Sequence, residues 1–328
     1  MTTSLAVPAP RVAAGASALV AALLLAACGS SGYPPTVAPT ATSSTSAAAG
    51  SGATATPAAC TNATQSYDPL PAPTGGAADA ALAAIRKTGY LRAGVSADSL
   101  LLGSRNPLTG QIEGFDIDVV HAIAKAIFGD ENKVQLVVIQ SGDRIPYLKD
   151  DKVDVVVRNM TMNCARWNDI AFSAEYFQSG LKILVRKGSD VTSLAGLAGK
   201  KVCAPNSTST MDVVQATAGV QAVGAATHTG CLVLFQQGKV DAIAGDDTVL
   251  AGLAAQDPYA SVPKIAALTS EPYGVGVNKD RVDLVRYVNT VLDAWKTDGR
   301  WTTSYDKWFA GPLGAAPQPP PSVYGRAA

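Results

Sequence analysis

Short apolar runs alternate with amphipathic stretches from residue 90 to residue 297, and this alternation restricts the chain to layers of sheet and helix. Strands are expected over residues 90–95, 134–139, 153–157, 181–185, 201–204 and 242–244. The run 153–157 has the apolar character of a strand buried on both faces, which points to parallel pairing. Helices are expected over 116–128, 144–148, 210–218, 231–237, 248–255 and 281–297. In the first of these, Ile117, Val120, Ala124, Ile127 and Phe128 share one face, and Gly114 and Asp116 mark its entry. The predicted class is α/β with mostly parallel sheets.

The two ends of the chain have a different character. Residues 12–27 form an apolar run that closes on Leu25-Ala26-Ala27-Cys28. It is shorter than the roughly 20 residues needed to cross about 30 Å of hydrocarbon. It looks like a bacterial lipobox, which implies a signal peptide over 1–27, cleavage before Cys28 and a lipid on that cysteine. Residues 28–76 are rich in Ala, Ser, Thr, Pro and Gly. Such a segment buries too little apolar surface to offset its ordering entropy, so a flexible spacer is expected, except near Cys60 if that residue is bonded. Residues 311–328 are Pro-rich and expected to be extended. No later run is apolar enough to span a membrane, and a net charge of zero gives no electrostatic ground for binding nucleic acid. The remainder suffices for one large domain or two small ones.

Of the five cysteines, Cys28 is assigned to lipid, leaving Cys60, Cys164, Cys203 and Cys231. An even number in an oxidising compartment suggests two disulfides, with three pairings open. Cys203, at the end of an expected strand, and Cys231, at the start of an expected helix, lie in one later segment. Pairing them leaves Cys60 for Cys164, which would pin the spacer to the folded body. None has the CxxC or histidine spacing of a zinc site, and no metal or cofactor is expected.

Several segments carry a resemblance through their order and spacing. They are Gly114-Phe115-Asp116-Ile117-Asp118, Arg144-Ile145-Pro146-Tyr147-Leu148 and Asn159-Met160-Thr161-Met162-Asn163 followed by Arg166. Further along come Phe172-Ser173, Leu194-Ala195-Gly196-Leu197-Ala198-Gly199-Lys200-Lys201-Val202 and Asp246-Asp247. The last are Glu271-Pro272-Tyr273-Gly274 and Tyr305-Asp306-Lys307-Trp308-Phe309. Over about residues 82–309 the chain resembles the polar amino-acid-binding proteins of ABC importers. The resemblance implies a type II periplasmic binding fold. Its lobes would be residues 77–177 with 276–310, and residues 178–275, joined by hinge strands near 176–180 and 272–276. A ligand held in the cleft favours the closed state by touching both lobes. The disulfide pairing rests on the same analogy.

An α-amino acid presents a carboxylate and an ammonium. The resemblance gives the α-carboxylate to Arg166, with Thr161 and Thr208 adding donors and Asn159 and Ser209 beside them. The stretch around Thr208 and Ser209 also reads as a helix cap. Asp246, at the end of an expected strand, takes the ammonium, while Asp247 caps the next helix. Receptors for acidic amino acids in this family direct a Ser before the Arg-Ile-Pro motif, that Arg and a His at the ligand side chain. Here these are Ser141, Arg144 and His228. Arg158, ending a strand, and Arg105, in a loop, add positive charge. Many members place an aromatic over the ligand, but Asp98-Ser99-Leu100-Leu101-Leu102 has none, so a leucine is expected as that wall.

The expected molecule is a monomeric, lipid-anchored receptor on the outer face of the cytoplasmic membrane. It binds glutamate or aspartate, with asparagine as a weaker candidate, and hands the ligand to an ABC permease. A glutamine-type receptor is the alternative, as is a sensor docking on a membrane signalling protein. The absence of a GxSxG, Walker or paired-carboxylate signature argues against an enzyme.

Overall fold

A computed structural model describes residues 61–70 and 80–327. The apolar leader, Cys28, the spacer up to residue 60 and Cys60 itself lie outside the described residues.

The strand Leu91–Val95 lies between two parallel neighbours, Val134–Val138 and Val155–Val156, with Ala93 opposite both Leu136 and Val155. Ser270–Asn278 runs antiparallel to Val155–Val156, and Ile170–Arg186 runs antiparallel to Ser270–Asn278. The distal part of this 17-residue strand then pairs with Ala242–Asp246, placing Leu181 opposite Asp246. From there the order continues in parallel through Lys201–Pro205 to Gln221–Ala225. Each half is therefore a parallel sheet flanked by helices, and two antiparallel strands join the halves.

Helices form close to where the apolar periodicity placed them: Phe115–Phe128, Arg144–Lys149, Ser209–Ala216, Asp247–Gln256 and Val282–Thr297. His228–Gln236 begins three residues earlier than expected, because Thr227 caps it by accepting from Gly230 N–H. The two joining strands run longer than expected. Residues 176–180 and 181–185 are one continuous element, since every position from Ile170 to Val185 except Gln178 and Lys182 is buried. Ser270–Asn278 contains the span 272–276 that the resemblance gave as a hinge strand, although Pro272, Gly274 and Gly276 leave it no local strand pattern. In the structure a Cβ on Gly274 would lie 2.8 Å from Met162 Cγ, and the register slips on either side of this residue.

Phe115 anchors the core of the first half. Its ring lies 5.2 Å from Phe177, 5.4 Å from Trp295 and 5.3 Å from Phe309. Asp118 accepts from Ser304 Oγ and Trp308 Nε1. The segments 114–118 and 305–309 thus meet in one aromatic cluster, where each pair adds about 0.5–1.5 kcal/mol beyond its buried area. In the second half, Cys203 and Cys231 are bonded, with Cα atoms 5.6 Å apart, among Phe235, Ile243 and Leu250. Cys164 is also a disulfide cysteine.

The ends are not loose where they are described. Gln65 bridges Val323 in parallel, Ser66 Oγ donates to the Phe172 carbonyl, and Asn289 Nδ2 donates to Ser66 Oγ and the Tyr67 carbonyl. Packing therefore begins inside the span read as spacer, because the polar groups of residues 62–70 find partners on Val282–Thr297 and the tail. The tail departs from the expected extended form at its start, where residues 311–313 belong to the short helix Ala310–Leu313, and beyond it the chain lies against the body.

Candidate functional site

The two halves touch where Thr229 Oγ1 donates to the Asp98 carbonyl at 2.8 Å. Three buried arginines lie close enough for Arg144 to feel the charges of Arg158 and Arg166. Arg144 opens the helix Arg144–Lys149 and is 4% exposed. Its Nε donates to the Ser141 carbonyl, and its Nη1 reaches the carbonyls of Arg158 and Asn159. Arg158 is 2% exposed, with Nε on the Ile139 carbonyl and Nη1 on Ser141 Oγ at 2.9 Å. Arg166 lies in the one-turn helix Cys164–Trp167, where Asn163 Oδ1 accepts from its N–H. It is 7% exposed, and its Nη1 donates to the Thr161 carbonyl. Among the described residues none of these guanidinium groups has a carboxylate oxygen at ion-pairing distance. Burial lowers all three pKa values, and for Arg144 the positive charges of Arg166 and Arg158 push further down. Three buried cations bonded only to neutral groups are costly unless an anion joins them.

Asp246 faces them from the end of Ala242–Asp246, at the cap position of the adjoining helix. Its Oδ2 accepts from Tyr273 OH at 2.6 Å, and its Oδ1 is buried without a partner. Burial, and then the nearby Glu271 carboxylate, hold its carboxyl above the ordinary range. Asp247 does not cap the helix. Asp246 occupies the cap position, and Asp247 Oδ1 accepts from Ser179 Oγ on the long strand.

The hydroxyls expected to face a ligand are used within the protein. Thr161 Oγ1 donates to Glu271 Oε2, and Thr208 Oγ1 donates to the Pro205 carbonyl while accepting from Met211 N–H. Ser209, half-buried, is the first residue of the helix that Thr208 caps, so this corner offers backbone N–H groups. Asn159 has a left-handed backbone, its N–H donates to Asp116 Oδ2, and its Oδ1 is buried without a partner. His228 starts its helix and is hydrogen-bonded to the Ala244 backbone. Burial and then Arg158 push its pKa to about 3, so the imidazole is neutral, and its Nε2 is unpartnered. Gly245 makes room for it, since a Cβ there would meet Nε2 at 2.8 Å.

Arg105 is not brought to this site: it lies exposed on the hairpin strand Gly103–Arg105, with its Nη1 on the Gly110 carbonyl. Leu102 packs in the core of the first half, while Leu100 carries its carbonyl against Gly252 of the second. Four functional neighbours had no assigned role. Asp116 is buried, accepts from Tyr176 OH, and is raised to about 6 by burial. Tyr273, Glu271 and Tyr176 tie the site to the strands that join the halves. Asp116, Glu271 and Tyr273 all lie in segments the resemblance singled out, which was the available signal.

The profile of the bacterial extracellular solute-binding proteins, family 3, matches residues 91–311. The ABC transporter glutamine-binding protein GlnH of Bacillus subtilis is 36% identical over 231 residues, 70% of this chain and 84% of that protein. The glutamate/aspartate import solute-binding protein of Salmonella typhimurium is 25% identical over 249 residues, 72% of this chain and 82% of that protein. The solved structure of an ancestral arginine-binding protein bound to glutamine aligns with a TM-score of 0.63 at 33% identity, over 67% of this chain and 98% of that one. These relatives are binding proteins rather than enzymes. With its α/β halves, its two joining strands and a charged cleft between them, the chain belongs to the bacterial extracellular solute-binding proteins, family 3, with the type II periplasmic binding fold.

Proposed function

We propose that this chain is a lipid-anchored receptor outside the cytoplasmic membrane that binds acidic L-amino acids and delivers them to an ABC permease. Arg166 takes the α-carboxylate and Asp246 the ammonium. Arg144, Arg158, Ser141 and His228 face the ligand side chain. The observation that carries the reading is the trio of buried guanidinium groups without an ion pair among the described residues. One ligand carboxylate satisfies Arg166, and a second gives Arg144 and Arg158 an anion.

A glutamine-type receptor is the second reading. The 36% identity to a glutamine-binding relative favours it, and so does the neutral His228. Calorimetric titration with L-glutamate, L-aspartate, L-asparagine and L-glutamine separates the two. The acidic reading expects one-to-one binding of glutamate or aspartate, much tighter than glutamine. Arg144→Ala should then weaken glutamate by about 10- to 150-fold, the worth of one hydrogen bond to a charged group, and leave glutamine nearly unchanged. Equal losses for both ligands would refute the side-chain assignment. Lipidation is tested separately by fatty-acid labelling, which Cys28→Ala should abolish.

A further inference from the structure

We infer that the two chain ends brace the helical turn carrying Arg166, which makes Arg326 a positioning residue for ligand binding. This rests on the assignment of Arg166 to the α-carboxylate. Cys164–Trp167 has only four residues. A single turn gains almost no hydrogen bonding for the dihedrals it fixes, so its neighbours decide where it sits. On the cleft side it is held by Asn163 and by the bond from Arg166 to the Thr161 carbonyl. Trp167 packs on Phe172 at 5.4 Å and against the core of the first half, Cys164 at the start of the turn is disulfide-bonded, and the further contacts of the Trp167 ring come from the chain ends. Trp167 Nε1 donates to the Ala63 carbonyl at 2.7 Å, and Tyr67 meets its ring edge-on at 6.0 Å. The Arg326 guanidinium lies 3.7 Å from the ring centroid.

The ends also fasten each other. Ser66 N–H donates to the Val323 carbonyl, Arg326 N–H to the Ser66 carbonyl, and Arg326 Nε to the Gln65 carbonyl. The tail is moored to the body where Asp293 accepts from Ser322 Oγ and Tyr324 OH. One face of the turn therefore presents the carboxylate clamp, and the other is gripped by residues that contribute nothing to the cleft. Loosening the grip lets Arg166 wander, and the free energy of holding it is then drawn from ligand binding.

The test is calorimetry on the intact protein in detergent, with L-glutamate and L-glutamine as probes. Arg326→Ala removes the cation–aromatic contact, worth about two- to fivefold, together with the guanidinium's hydrogen bonds to the Gln65 and Asn62 carbonyls, and should weaken both ligands by the same factor, at least about twofold. Arg326→Lys should recover part of the loss. Truncation after Gly314 should cost roughly tenfold by removing the tail's other bonds as well. A merely structural role would not produce coupling to Arg166. On an Arg166→Lys background, Arg326→Ala should cost clearly less than on the wild type. If Arg166→Ala binds like the wild type, the clamp assignment fails and this inference with it. If Arg166→Ala loses binding while Arg326→Ala lowers only the melting temperature, or costs the same on both backgrounds, the inference alone is overturned. The single substitution at half-buried Arg326 keeps the test valid even if the truncated chain fails to fold.

Discussion

Acidification should release the ligand through Asp246, and Asp246→Asn should remove that dependence. Asp246 keeps one oxygen on Tyr273 OH and has the other buried without a partner. Burial and the Glu271 carboxylate raise its pKa, so the free protein takes up a proton well above the usual value of about 3.9. A ligand ammonium favours the carboxylate, so binding lowers this pKa. The sign follows: affinity is full above the free-state pKa and falls by about tenfold for each pH unit below it, with one proton expelled on binding. From pH 7.5 to 5.5 the loss should be about tenfold or more. The Asn variant forfeits a charge-assisted hydrogen bond of about 1.5–3 kcal/mol, so it should bind about 10- to 150-fold more weakly at pH 7.5. His228, pushed to about 3, stays neutral throughout this range. Asp116, raised to about 6, titrates within it but is present in both proteins, so the difference between the two profiles belongs to Asp246. Calorimetry in buffers of different ionisation enthalpy counts the proton directly. A wild type that expels none, or an Asn variant that keeps the wild-type slope, would refute the assignment.

Replacing Cys203 and Cys231 together by alanine opens a loop of 28 residues. Chain entropy puts the loss at about 3–4 kcal/mol, to be read from urea unfolding, and a loss under about 1 kcal/mol would contradict it. Gly245→Ala drives a Cβ to 2.8 Å from His228 Nε2 and 3.0 Å from Leu250 Cδ2. It should destabilise the protein by about 1–3 kcal/mol and weaken glutamate binding, because the imidazole must move. An unchanged melting temperature and affinity would mean the pocket has slack there.

The parallel strands and long helices were legible because their apolar periodicity is a local property. Phe115–Phe128 and Val282–Thr297 start within one residue of the expected positions. The antiparallel strand Ser270–Asn278 was reached only through the resemblance, because Gly274 answers to Met162 and Gly276 to Leu148 and Met160, more than a hundred positions away, and no local pattern records that distance. The charged residues of the site were legible as types at spaced positions, and folding brings Arg144, Arg158, Arg166, Asp246 and His228 together. Their pairing was not legible. The Thr208 cap was legible, but Thr161 has its hydroxyl committed to Glu271, 110 positions away, which no local pattern records. Arg105 shows the converse, since a hairpin of two- and three-residue strands leaves no periodic trace and turns the side chain outward.

The 17-residue strand Ile170–Arg186 passes from one half to the other without a loop. Opening the cleft is therefore not a swing about a slack link. It twists a pleated ribbon made of this strand and Ser270–Asn278, whose ladder persists along the bend. In a receptor of the kind proposed, the torsional stiffness of that ribbon, together with the contact of Thr229 on the Asp98 carbonyl, would separate open from shut forms, and this energy would enter every dissociation constant. Affinity would then be in part a spring constant, adjustable at the register slips around Gly274.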